Sequence, residues 1–222
     1  MKTNRSTAIV VGVLFIIGTA SGILSVTFTG SILGAPDYLV QIAANETQMR
    51  TGAFFVLMMG LSLAMIPVMM YPILKKENEA LALGTLVFRG PLEATIYILM
   101  AVSWLLLILV SQEYVNAGAA EASGLQTLGA LLVNVSEKIN PVLEVVFSIG
   151  ALMYYYLFYR SRLIPRWLSG WGLLGGILYL ASGIIALFGT DLGFLLAVLG
   201  IQEMIMALWL IFKGFESSAM TA

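Results

Sequence analysis

Five residues of this chain carry acid, base or amide chemistry inside otherwise apolar stretches. Arg89 and Glu93 stand four apart in VFRGPLEAT, Gln202 and Glu203 adjoin in GIQEMIMALW, and Glu144 follows the proline of NPVLEVVF. Four residues is about one helical turn, so Arg89 and Glu93 share one face of a continuous helix. One cation set against two acids, or three with Glu144, can hold protons, attract a cationic partner, or lock helices in register by ion pairing. Carboxylates can also act as general acid and base. No serine or threonine is visibly paired with a base, however, so no residue is assigned to catalysis and an enzyme is the less favoured expectation.

The rest of the composition narrows the chemistry further. The 222 residues include no cysteine and no histidine. Disulfides, thiol nucleophiles, imidazole bases and the usual zinc ligands are therefore excluded, and neither a metal nor a cofactor is expected. Twelve acidic residues against eleven basic ones leave no basic patch for nucleic acid. Methionines crowd 58–70, and thioethers suit copper(I). Without histidine or cysteine beside them, adaptable packing is the better reading.

Elements that hold such residues must be membrane helices. Hydrophobic residues make up 60% of the chain and charged ones 10%, where a soluble domain carries about a quarter charged. With a mean hydropathy of +0.97, lipid is the expected solvent for most side chains. About 20 mainly apolar residues cross the hydrocarbon, and six stretches qualify: 7–29, 51–74, 81–110, 141–159, 169–188 and 192–212. The expectation is an all-α polytopic protein, a single six-helix transmembrane domain over 1–222. The first apolar run outlasts a signal-peptide core, so it reads as an uncleaved span.

Basic residues set the expected orientation. Lys2 and Arg5 precede the first span, Lys75 and Lys76 follow the second, Arg160, Arg162 and Arg166 follow the fourth, and Lys213 ends the sixth. With both termini cytoplasmic all of these lie inside, as the positive-inside bias requires. The expected home is the cytoplasmic membrane. Asn140-Pro141 reads as a cap and first helical position for the fourth span. Outside it, Leu125, Leu128, Leu131, Leu132 and Val135 recur at helical spacing, which predicts a short amphipathic helix on the outer surface near 124–135.

Charged residues at the bilayer centre cost about 2.5–3.5 kcal/mol each, so each needs a partner, a cavity or an interfacial position. Pro91 bears on Arg89, because it lacks a backbone donor and pushes Gly90 away from helical geometry. In one reading the span starts at Pro91 and Arg89 meets lipid phosphates. In the other, 81–110 is one kinked helix with Arg89 and Glu93 facing inward, and this is the reading favoured. Glu203 sits midway through its span and cannot reach either surface, while Glu144 lies one turn inside the fourth span, where an acid also complements the helix dipole. Gly18-x3-Gly22 and Gly172-x3-Gly176 allow close helix approach, within one chain or between copies in a homo-oligomer.

Three stretches carry a resemblance. FR followed by an acid early in the third span, YRSRLIPRWLSGWGLLGGILYL across the fourth loop, and the closing QEMIMALWLIFKGF resemble an uncharacterised bacterial membrane family, domain of unknown function 4386. The similarity runs over nearly the whole chain. It implies six helices, with Arg89, Glu93 and Glu203 on recurring polar positions. Members similar to this chain run a continuous helix where it has Gly90-Pro91, which implies that Arg89 belongs inside a long third span. The resemblance implies a fold and no activity.

From the residues, the leading expectation is a small ligand or ion bound or translocated through a polar core of Arg89, Glu93, Glu203, Gln202 and Glu144. The alternative is a structural membrane protein whose charges specify helix packing. Membrane lipids are expected partners in either case.

Overall fold

Long apolar runs leave the backbone one economical way to satisfy its hydrogen bonds in hydrocarbon, the helix. The computed structural model describes residues 2–216. Its helices are α1 (Lys2–Leu33), α2 (Tyr38–Ala44), α3 (Glu46–Leu74), α4 (Glu79–Val87), α5 (Glu93–Asn116), α6 (Ala119–Ser161), α7 (Arg166–Leu187) and α8 (Leu196–Phe212). A π-helical turn, Phe88–Leu92, joins α4 to α5, and a short 3-10 turn, Gly193–Leu195, leads into α8. No strand occurs among the described residues.

Six stretches are long and apolar enough to cross a membrane, and each overlaps one expected span: Asn4–Leu33, Glu46–Leu74, Glu79–Asn116, Glu121–Ser161, Arg166–Leu187 and Gly193–Phe212. The protein is thus an all-α, multi-pass membrane protein. Large apolar side chains such as Ile23, Phe54, Leu109, Ile177 and Ile201 lie exposed, an arrangement that suits acyl chains as solvent.

Two local expectations need correction. The amphipathic segment 124–135 is helical but is not a separate surface helix, because α6 runs unbroken from Ala119 to Ser161. Pro141 lies inside that helix rather than at its start. A proline removes one intrahelical bond, and with no glycine between 130 and 149 nothing else interrupts the turn. The segment after α1 also holds a helix that periodicity did not reveal, α2, only seven residues long and anchored by buried Leu39 and Ile42.

The opposite outcome holds at Pro91. Glu79–Asn116 forms one membrane-long stretch, in which the wide turn absorbs the proline: the Glu93 N–H reaches back five residues to the Phe88 carbonyl. Widening a helix by one residue in this way is a known response to an interrupted hydrogen-bond ladder and recurs at functional positions. Upstream, Asn78 caps α4, its side-chain oxygen accepting from the Leu81 N–H at 2.9 Å. Asn78→Ala should cost about 1 kcal/mol, seen as a small drop in melting temperature of the detergent-solubilised chain with its helix content unchanged.

The chain gathers into two compact units. The first contains residues up to Gly18, Leu61–Ala94 and everything from Pro141 on, and so holds part of all six spans. Within it α1 meets α8 at Gly12, where an added methyl would lie 2.6 Å from the Ala207 carbonyl. Arg5 donates to the carbonyls of Leu210, Ile211 and Phe212 at 3.1, 2.7 and 3.2 Å. These are carbonyls that the end of α8 cannot pair internally, and the cation also complements the helix dipole. The start of the first span therefore packs beside the end of the sixth. Gly214, at φ 79, ends the run, and a side chain there would strike Arg5.

The second unit comprises Thr19–Gly60 and Thr95–Asn140. Phe28 stacks on Phe55 with centroids 5.8 Å apart. Glu46 pairs with Arg50 and accepts from Gln112 Nε2 at 2.6 Å. The glycine patterns work inside each unit: Gly18 faces Leu63 in the first, and Gly22 faces the Met59 sulfur in the second. Along α3, Met70 is fully buried and Met65 nearly half exposed.

Candidate functional site

The first unit brings three of the five expected residues together. Arg89, on the π-helical turn, is 2% exposed, and Glu93, the first residue of α5, is 1% exposed. Burial of this degree removes the reading in which Arg89 meets lipid phosphates. Arg89 Nε donates to Glu93 Oε2 at 3.0 Å, and Arg89 Nη1 donates to Glu203 Oε1 of α8 at 3.2 Å. Glu203 is almost buried, its side chain 12% exposed.

Aromatic residues of α6 complete the surroundings. The Arg89 guanidinium lies over the Phe147 ring, 4.2 Å from its centroid, a position in which the ring face offsets part of the lost hydration. Tyr155, fully buried, donates its hydroxyl to Glu203 Oε1 at 3.2 Å. Two glycines make these approaches possible. A methyl on Gly150 would lie 2.7 Å from Arg89 Cγ and 2.9 Å from Phe88 Cβ, while one on Gly172 of α7 would fall within the Tyr155 ring's contact surface. Residue types alone did not single out Tyr155, Phe147 or Gly150. The signal was faint: a run of three tyrosines, 154–156, and a glycine pattern whose partners a sequence does not name.

The pairing is incomplete. Arg89 Nη2, Glu93 Oε1 and the Tyr154 hydroxyl are buried with no hydrogen-bond partner among the described residues. Buried polar atoms are normally satisfied, so three orphans in one place need a reason. The space beside Arg89, walled by Ile66, Pro67, Thr85 and Tyr154, has no room for a water molecule. Low dielectric strengthens each pairing and raises the cost of each omission.

The remaining two residues are placed elsewhere. Gln202 is fully buried, but its Nε2 donates to the Leu168 carbonyl at 3.0 Å, tying α8 to the first turns of α7. Neighbouring helical residues diverge by about 100°, so Gln202 faces away from Arg89. Glu144 is half-buried on the same face of α6 as Phe147 and Tyr155, bonded to the Ser182 hydroxyl of α7 and packed where Gly183 leaves space. It does not touch Arg89, Glu93 or Glu203.

A single guanidinium held by two carboxylates from different spans can fix helix register, and it can also accept a proton or a compensating cation. No curated protein and no solved structure matches the chain. The model of the family described as Domain of unknown function (DUF4386) matches residues 10–214, and with almost the whole sequence inside that match the chain belongs to this family.

Proposed function

We propose that this is a multi-pass protein of the cytoplasmic membrane, both termini cytoplasmic, that binds or translocates a small ligand or ion through the polar core around Arg89, Glu93 and Glu203. The observation that carries the reading is stoichiometric: two carboxylates converge on one guanidinium, and polar atoms of Arg89, Glu93 and Tyr154 stay unpartnered. A pair kept only for packing works best matched and fully bonded. Intramembrane ionisable residues that exceed their partners fit a binding role better. The orientation rests on the basic residues at the loop ends named above.

Packing alone is the second reading, and one observation favours it: the crevice between Arg89 and Tyr154 has no room for a water molecule. Vesicles separate the two. Reconstituted wild-type chain should speed dissipation of a proton, sodium or small-amine gradient relative to empty vesicles. Glu203→Gln should abolish that effect with its melting temperature retained. Packing is the answer if wild-type vesicles match empty ones for all three probes and Arg89→Met/Glu93→Leu/Glu203→Met, which strands no acid, melts no lower than wild type.

A further inference from the structure

The core's charge imbalance and the tight crevice beside Arg89 narrow the ligand. With both acids ionised, Glu93 and Glu203 exceed Arg89 by one negative charge in a buried setting, and such a charge is neutralised in practice rather than tolerated. A metal ion would require about six oxygen ligands around it. Among the described residues no three acidic, histidine or cysteine side chains converge in that way, and the crevice at Arg89 cannot admit a water-sized group. A proton needs no volume. Placed on one acid, it cancels the excess charge and supplies a donor to a buried region where Glu93 Oε1 has none facing it.

A route lies along the facing sides of α6 and α7. Gly172 meets Tyr155, which holds Glu203; ten residues further along α7, Ser182 bonds Glu144. Tyr179 falls between these two points, its ring against Phe147 with centroids 4.7 Å apart. Its hydroxyl is within electrostatic reach of Glu144, Glu203, Glu93 and Arg89. From Tyr155 to Glu144 the helix rises about 16 Å, roughly half of a hydrocarbon core about 30 Å thick. Glu144 in turn feels Asp191, an exposed residue of the loop after α7. Glu144 is thus the carboxylate nearer to water.

We propose that the core's ligand is a proton, exchanged with the aqueous phase through Tyr179 and Glu144; this rests on the polar-core reading above. In the outward step, the O–H bond of the protonated core acid breaks as its proton passes to the Tyr179 oxygen. The original Tyr179 proton passes to the Glu144 carboxylate, forming a new O–H bond. Tyr179 is left unchanged, one core acid becomes a carboxylate, and Glu144 releases the proton to water.

Infrared difference spectroscopy of the purified full chain in nanodiscs tests this. The wild type at neutral pH should show the carbonyl-stretch band of a protonated carboxylic acid, shifting as deuterium oxide replaces water. Glu93→Gln or Glu203→Gln should remove that band. Tyr179→Phe, which keeps the ring on Phe147, and Glu144→Gln, which keeps an acceptor for Ser182, should retain it but slow its deuterium exchange by about a hundredfold. Absence of a band assignable to Glu93 or Glu203 would overturn the proton as ligand. Flux of sodium or amine lost in Glu203→Gln would then still uphold the polar core. A band whose exchange is as fast in both Tyr179→Phe and Glu144→Gln as in wild type would overturn the route.

Discussion

Arg89→Met should destabilise the chain by about 3–5 kcal/mol, the largest loss expected from any single substitution in the cluster. The substitution keeps most of the side-chain volume over Phe147, so lost packing contributes little. What it removes is the cation for Glu93, which is 1% exposed, and for Glu203, whose side chain is 12% exposed. Of the two buried acids, Glu203 would keep the Tyr155 hydroxyl as a donor, while Glu93 would lose the guanidinium that bonds it. Thermal unfolding of the solubilised chain measures the effect. The triple change Arg89→Met/Glu93→Leu/Glu203→Met should recover most of the stability, since replacing an entire buried ionic group by apolar residues is often neutral or stabilising. A single variant as stable as wild type would mean that the acids had found another partner or were not buried.

Gly172→Ala is expected to have the second-largest effect, although it adds only a methyl group. That methyl would land against the Tyr155 ring, which is fully buried and wedged beside Tyr154 and Phe158 with centroids 5.7 and 6.5 Å away. Overpacking of this kind costs about 1–3 kcal/mol, and moving the ring also breaks the bond from Tyr155 to Glu203. The substitution should therefore lower both the melting temperature and whatever activity depends on Glu203. In a Tyr155→Leu background the clash disappears, so the two changes together should destabilise less than their sum. Simple additivity would place the Tyr155 ring elsewhere.

The sequence made these membrane-crossing elements legible because their signal is collective. A run of about 20 apolar residues outweighs any single interruption, and this is why all six spans were readable from hydropathy. Interruptions were harder to interpret. Pro91 and Pro141 look alike in a sequence, yet one is absorbed by a π-helical turn and the other by a long helix that continues past it. What decides is how the neighbouring backbone re-satisfies the lost hydrogen bond, and that depends on tertiary context.

Arg89, Glu93 and Glu203 stood out because charge is rare in apolar surroundings. Gln202 stood out as a polar neighbour of Glu203 but faces α7, since adjacency along a helix is not proximity across it. The residues that shape the site were the least visible. Gly150 and Gly172 contribute by having no side chain, and Tyr155 and Phe147 belong to types common in any membrane helix.

Arg89 and Glu203 meet in the interior from different spans, and a double-mutant cycle between them tests this most directly. Arg89→Met and Glu203→Gln, measured singly and together by equilibrium unfolding, should show a coupling of about 1–3 kcal/mol, because removing the acid relieves the charge that loss of the arginine strands. Additivity within about 0.3–0.5 kcal/mol, the scatter expected of distant independent sites, would contradict it.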